Sequence, residues 1–284
     1  MPDPAAQRKH ARGNERPGRG AHERMRASAC LFFALGCTAP PARAPRPTDG
    51  ASAIDEMRRS YGCEGPLVAT DATADLSSEE GRVRTSILWV AMAPNRVRLD
   101  VQKPGSMGPA LTLASDGAVV RAADFQHGAL VVGPASACTL QEIVHVAVPP
   151  AVLALLLTGR SPVLVHVTPP TVRAEGSRSV IAIDGTRDAH EEITVERRDD
   201  GGLRVVRVVV SQAGTALYDA ELAGPRRVTS GACATEVPTR IHVTSPGGDL
   251  LLVARDPSVD PTMGPEVFAP SSQSGMIERR SACP

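Results

Sequence analysis

The chain has 284 residues, 31 basic and 31 acidic side chains, and only 2% aromatics. Lys9 and Lys103 are its two lysines against 29 arginines, and residues 1–36 hold seven basic and three acidic groups, so residues 37–284 carry a net charge of −4. With neither a basic stripe nor aromatic platforms for stacking bases, nucleic acid is excluded as a partner, while a hydrophobic fraction of 42% supports a core of Val, Ala and Leu.

Residues 1–24 are polar and rich in Arg, Pro and Gly, a composition that does not fold, and Met25 competes with Met1 as the start. Arg26, the apolar run Ala27–Leu35 and small residues before Cys37 have the layout of an export signal. The run is too short to stay in a bilayer as a spanning helix. Ala34-Leu35-Gly36-Cys37 resembles the lipobox of bacterial lipoproteins, with Ala34 where Leu is usual. That resemblance implies cleavage after residue 36, acylation of Cys37 (palmitate) and a membrane partner reached through the N-terminal lipid. Thr38 in place of Asp implies, by analogy with enterobacterial sorting, the periplasmic face of the outer membrane. An ordinary secretory signal is the alternative. The segment 37–50 is Pro-rich and suits a tether.

Cys30 leaves with the signal. Cys63, Cys138, Cys233 and Cys283 then meet an oxidising compartment, where up to two disulfides can form in three connectivities. Buried free thiols are the alternative, and no spacing matches a zinc site, so no metal and no cofactor is expected.

Asp49–Tyr61 carries an N-cap candidate and apolar residues Ala53, Ile54 and Met57 on one helical face. Cys63–Leu76 reads as the first strand region. A meander follows: Val83–Val90, Arg96–Val101, Ala110–Leu113, Ala118–Arg121 and Ala129–Val132. Pro94-Asn95, Pro104-Gly105, Asp116-Gly117 and His127-Gly128 supply its turns. Arg96, Arg98 and Asp100 alternate with Val97, Leu99 and Val101, as on a strand with one wet and one buried face.

Cys138–Val148 is an apolar run with helical potential, and Pro149–Gly159 is punctuated as a helix. Ala151–Leu157 has no polar face, so this helix is either a core element or a plug in the mouth of a barrel. A second meander is expected at Val163–Val167, Val180–Ile183, Glu191–Arg197, Leu203–Val210, Thr215–Leu222, Arg240–Thr244 and Leu250–Val253. The tail from Asp256 lacks periodicity and is expected over the outside. The elements suggest a mainly β (α+β) fold, a half-open antiparallel β-barrel of about eleven strands with one or two short helices.

No pattern of catalysis stands out. His190-Glu-Glu-Ile-Thr194 lacks the second histidine of a zinc protease, and Gly105-Ser-Met-Gly108 is only a turn. His127, His145, His166, His190 and His242 are scattered, and Glu79-Glu80, Glu191-Glu192 and Asp199-Asp200 read as solvated turns and edges. The chain is therefore expected not to be an enzyme.

The layout resembles the LolA/LolB-like lipoprotein-carrier superfamily over Ala51–Gly275. The resemblance rests on Pro94-Asn-Arg-Val-Arg-Leu-Asp100, the Pro104-Gly105 turn, Ala114-Ser-Asp-Gly-Ala-Val-Val120, the Pro149–Gly159 segment and the late Pro265, Phe268, Pro270 and Gly275. It departs from the family in its few aromatics. The resemblance implies an unclosed β-barrel whose concave face, covered by the helices, holds lipid or lipoprotein acyl chains, in a carrier that is not an enzyme; the oligomeric state stays open, with a monomer expected. By position, the candidate lining is Leu88, Val90, Val97, Leu99, Leu111 and Leu113, with Val152, Leu153, Leu155 and Leu156 of the helix. Each of these is equally suited to plain core.

The expected organisation is a leader and signal over 1–36, tether 37–50, half-barrel domain 51–255 and C-terminal extension 256–284. Two functions stay open, an acyl-chain carrier and a tethered structural or interaction module of the envelope. An open apolar groove of several hundred Å³ under the sheet favours the first, and a collapsed one the second.

Overall fold

The computed structural model describes residues 49–63, 65–103, 105, 108–231, 233–269 and 275–284. These belong to one compact unit, Arg43–Pro284. Cys37, the signal, most of the tether and Pro270 lie outside the described residues.

Helix α1 (Gly50–Arg59) starts where Asp49 accepts a hydrogen bond from the Ser52 amide at 2.8 Å, and it buries Ala53, Ile54 and Met57. Six strands follow: β1 (Leu67–Ser78), β2 (Gly81–Met92), β3 (Arg96–Gln102), β4 (Pro109–Ser115), β5 (Val119–Asp124) and β6 (Ala129–Pro134). Helices α2 (Ala137–Val144) and α3 (Pro150–Leu157) come next. A second run comprises β7 (Thr171–Glu175), β8 (Arg178–Asp184), β9 (Ala189–Arg197), β10 (Leu203–Gln212), β11 (Thr215–Ser230), β12 (Cys233–Ser245) and β13 (Gly248–Ala254). Strands β14 (Ser258–Val259) and β15 (Ile277–Arg280) close the chain, separated by a 3₁₀ turn at Pro265–Phe268.

Each run is an antiparallel meander, and β1 pairs with β13 to fuse them into one sheet that runs from β15 and β6 at one end to β7 at the other. The two ends do not pair with each other, so the curved sheet stays unclosed. This is the half-open barrel expected from the sequence, with fifteen strands among the described residues instead of about eleven. The additional strands are β7, β14 and β15, which are short and exposed and so carry no buried face for an alternation to mark. The expected strand at Val163–Val167 does not form. That segment makes one isolated bridge, His166 to Gly185, and leaves Val165 and Val167 exposed.

The concave face carries the main core. Cross-strand register puts Ala72, Ala74 and Leu76 of β1 opposite Ile87, Thr85 and Val83 of β2 on one side and Ala254, Leu252 and Leu250 of β13 on the other. Opposed residues share a face, so the inward stripe runs unbroken through both meanders. Helix α3 packs on β2, β3 and β12 with Leu153, Ala154, Leu156 and Leu157 buried. It is chiefly a core element.

The convex face is not uniformly wet. Val68, Leu88, Val90 and Met92 pack there against Met263, Val267 and the fully buried Phe268. Arg98 donates to the Val267 carbonyl at 3.1 Å, and Asp100 accepts from Arg98 and from the Thr112 hydroxyl at 2.6 Å. The expected wet face of β3 is thus roofed by residues of the chain's last thirty, which bury Asp100. Beyond that roof, β14 pairs with β1 and β15 runs parallel to β6.

Two disulfides staple the sheet. Cys63–Cys233 links the exit of α1 to the start of β12 across 170 residues, and Cys138–Cys283 links the first turn of α2 to the tail across 145. Loops this long place each bridge at the upper end of the chain-entropy scale, near ~5 kcal/mol. Replacing Cys63 and Cys233 together by Ala is expected to lower the unfolding free energy by about 2–5 kcal/mol, measured by urea denaturation.

Candidate functional site

Helix α2 opens with the Ser136 hydroxyl accepting from the Thr139 amide at 3.2 Å. It ends at His145, whose amide still donates to the Gln141 carbonyl at 3.0 Å and whose left-handed backbone (φ 57°) then turns the chain out of the helix. Within it Leu140, Ile143 and Val144 turn toward the sheet while Gln141 and Glu142 stay exposed. Residues 146–148 are neither helix nor strand and turn tightly, the Val148 amide donating to the Val146 carbonyl at 3.0 Å; Val146 and Val148 are buried, and the Ala147 amide donates to the Ser245 hydroxyl at 3.1 Å. Helix α3 follows.

This strap does not fill the concavity under β1–β4 and β12–β13, and a cavity of about 320 Å³ remains. The sheet supplies Ala74, Leu76, Val83, Thr85, Ile87, Leu99, Val101, Leu111, Leu113, Val243, Leu250 and Leu252. The strap supplies Leu140, Ile143, Val144, His145, Val146, Val148 and Leu153. Only Thr85 and His145 of these nineteen are polar. The Nε2 atom of His145 lies 3.4 Å from a carboxylate oxygen of exposed Glu80 at the tip of the β1–β2 hairpin. Two other depressions, of about 360 and 370 Å³, carry arginines. In the first, Arg178, Glu196, Arg204 and Glu236 are already ion-paired with one another. The apolar cavity is the candidate site, because apolar walls with few polar groups are what a hydrophobic ligand needs.

Of the residues proposed from sequence, Leu99, Leu111, Leu113 and Leu153 line the cavity. Leu88 and Val90 do not: they face the convex side, and Ile87 and Trp89 face in. Val97 and Leu156 are buried core beyond its reach, and Val152 and Leu155 are partly exposed on α3 without touching it. The contributions of α2, the 146–148 segment and β12–β13 were missed. The 3.6-residue spacing of Leu140, Ile143 and Val144 was a usable signal for α2.

The other half of the concave face is closed. There α1 and residues 160–164 cover β8–β11, and the side chain of Glu191 is fully buried, not a solvated edge as its sequence suggests. Glu191 faces inward opposite Val210, which in turn lies opposite Tyr218. One carboxylate oxygen accepts from the Leu164 amide at 2.8 Å and the other has no partner. Burial pushes this carboxyl up to about 7, against the lowering effect of the Leu164 amide. Nearby, the Tyr61 hydroxyl accepts from the Ser161 amide at 3.0 Å, and Arg160 stacks over the Tyr61 ring. Burial raises both tyrosines, Tyr61 to about 12.

No protein-family model and no curated protein sequence matches the chain. Solved structures do. A LolA superfamily protein from Nitrosomonas europaea superposes with a TM-score of 0.51 at 9% identity, over 78% of this chain and 98% of the other. A DUF1329 family protein from Desulfovibrio piger superposes with a TM-score of 0.55 at 8% identity, over 78% and 98%. The chain has a LolA-like fold, as the layout of its sequence implied.

Because the folded state holds the Glu191 proton up to about pH 7 and an unfolded glutamate releases it near 4.5, stability falls as pH rises across that window. The expected loss is up to about 3 kcal/mol. Glu191→Gln keeps an acceptor for Leu164 and removes the charge, so it should flatten the profile and be the more stable protein at pH 8. Urea unfolding of both proteins at pH 5 and pH 8 measures this.

Proposed function

We propose that the protein is a lipoprotein of the bacterial envelope, anchored at the outer membrane through acylated Cys37, that holds acyl chains of lipids or lipoproteins under its concave sheet. In this reading it is a carrier or acceptor and performs no chemistry of its own. The observation that carries the reading is the 320 Å³ cavity, walled by apolar side chains of the strap and the sheet. A cavity of that character binds by removing methylenes from water, worth about 0.8 kcal/mol for each one buried. The LolA-like fold supports the same reading. Several hundred Å³ of open apolar space is also what distinguishes a carrier from a tethered module built on the same scaffold.

The protein with Cys37→Ser, which has no lipid of its own to compete, is expected to take up a fluorescent fatty-acid probe saturably. Leu111→Arg, which places a charge on a partly exposed wall residue, should weaken that uptake by about tenfold or more, roughly 1.4 kcal/mol. Absence of saturable uptake by the parent protein would leave the tethered module as the reading. Separately, metabolic labelling with palmitate in a bacterial host should mark the wild-type chain and not Cys37→Ser, and the label should fractionate with outer membranes.

A further inference from the structure

On the acyl-binding reading above, we infer that the cavity admits one acyl chain at a time, and that its ligand class is the single-chain amphiphile, a fatty acid or a lysolipid, with its polar end beside His145.

Volume sets the first limit. A methylene is about as bulky as a water molecule, whose share of the liquid is ~30 Å³. The 320 Å³ available therefore takes on the order of ten methylenes. Length agrees. The cavity runs from Ile87, deep in the core, to Val83 at the hairpin tip. Four strand residues span roughly 13 Å, and an extended chain advances ~3.3–3.6 Å per three bonds, so about ten methylenes fill the same distance.

The cavity also has direction. At its inner end Ile87, Leu113 and Leu153 are buried, whereas Val83 is 60% exposed. The polar pair His145–Glu80 sits at this open end. A chain enters tail first and leaves its head at the rim.

The decisive constraint is that the cap is pinned at both ends. Cys138, in the first turn of α2, is bridged to Cys283. Past the other end, the Ala147 amide is held by Ser245, and the β12–β13 turn presses on the helix terminus. A Cβ on Gly247 would lie 2.7 Å from the His145 carbonyl oxygen, so that contact has no slack. Admitting a second chain requires about twice the volume, and α2 cannot lift away to provide it while the bridge is closed.

The test is native mass spectrometry and competition against the fatty-acid probe, using the oxidised Cys37→Ser protein with lauric acid, whose ten methylenes match the cavity, a one-chain lauroyl lysophosphatidylethanolamine and dilauroyl phosphatidylethanolamine. The expected result is 1:1 binding of a one-chain ligand, with the two-chain lipid at least about tenfold weaker; the tighter of the two one-chain probes identifies the head group. Removing the bridge with Cys138→Ala and Cys283→Ala should narrow that ratio by admitting the two-chain lipid. Thr85→Trp, at a partly exposed wall position, should cut one-chain binding about tenfold without loss of thermal stability. Two-chain lipid binding as tightly as lauric acid to the bridged protein would overturn the single-chain inference and leave the acyl-carrier reading intact. Failure of all three ligands to bind would overturn both.

Discussion

The pairing of β1 with β13 is the constraint on which the molecule depends. It joins strands more than 170 residues apart in sequence and makes one sheet of two meanders. Because Leu76 meets Leu250 and Ala74 meets Leu252 in register, the apolar faces of both meanders become a single concave surface. An unclosed sheet with such a surface cannot leave it in water, and the helices exist to cover it.

They cover it unequally, and this inequality creates the site. Over β8–β11, α1 and residues 160–164 approach closely enough to bury Ile181, Ile193, Val208 and even the Glu191 carboxyl. Over β1–β4 the cap is α2, an eight-residue helix stopped by the left-handed His145, followed by a short irregular link to α3. A short helix and a short link supply fewer side chains than the curvature beneath them can accommodate. An apolar space is left, and such spaces take apolar guests. The bridge from Cys138 to Cys283 ties that roof to the end of the chain, where the Ser281 hydroxyl and the Ala282 amide also donate to Glu142 of α2, so a covalent feature of the tail bears on the dimensions of the cavity.

The convex side shows how burial reshapes a polar strand face. Arg98 and Asp100 remain outward as alternation requires, yet Phe268 and Val267 settle on that side. The polar pair is retained because each partner satisfies the other, with Thr112 and the Val267 carbonyl completing the set. Glu191 is the contrasting case: it has one donor and no cation, so its burial raises its proton affinity instead.

Alternation, turn residues and helix punctuation are local properties, and they made the two meanders, α1 from its Asp49 cap and α3 from its prolines legible in the sequence alone. The half-open barrel followed from that layout, and its being unclosed from the resemblance to the LolA/LolB-like proteins. Which face of β2 looks inward was not legible. Ile87-Leu-Trp-Val-Ala91 is apolar throughout because both of its sides are covered, one by helices and the other by the tail, and no polar residue marks the outside. That ambiguity put Leu88 and Val90 on the wrong side, while Leu99, Leu111 and Leu113, on strands with polar or small neighbours, were placed at the cavity. The pairing of four cysteines, the burial of Glu191 and the existence of unfilled space depend on contacts between residues a hundred or more positions apart. Sequence determines the elements, because their signals lie within a few residues of one another; the cavity is a difference between the curvature of a sheet and the bulk of its cap, and only the assembled tertiary structure decides that.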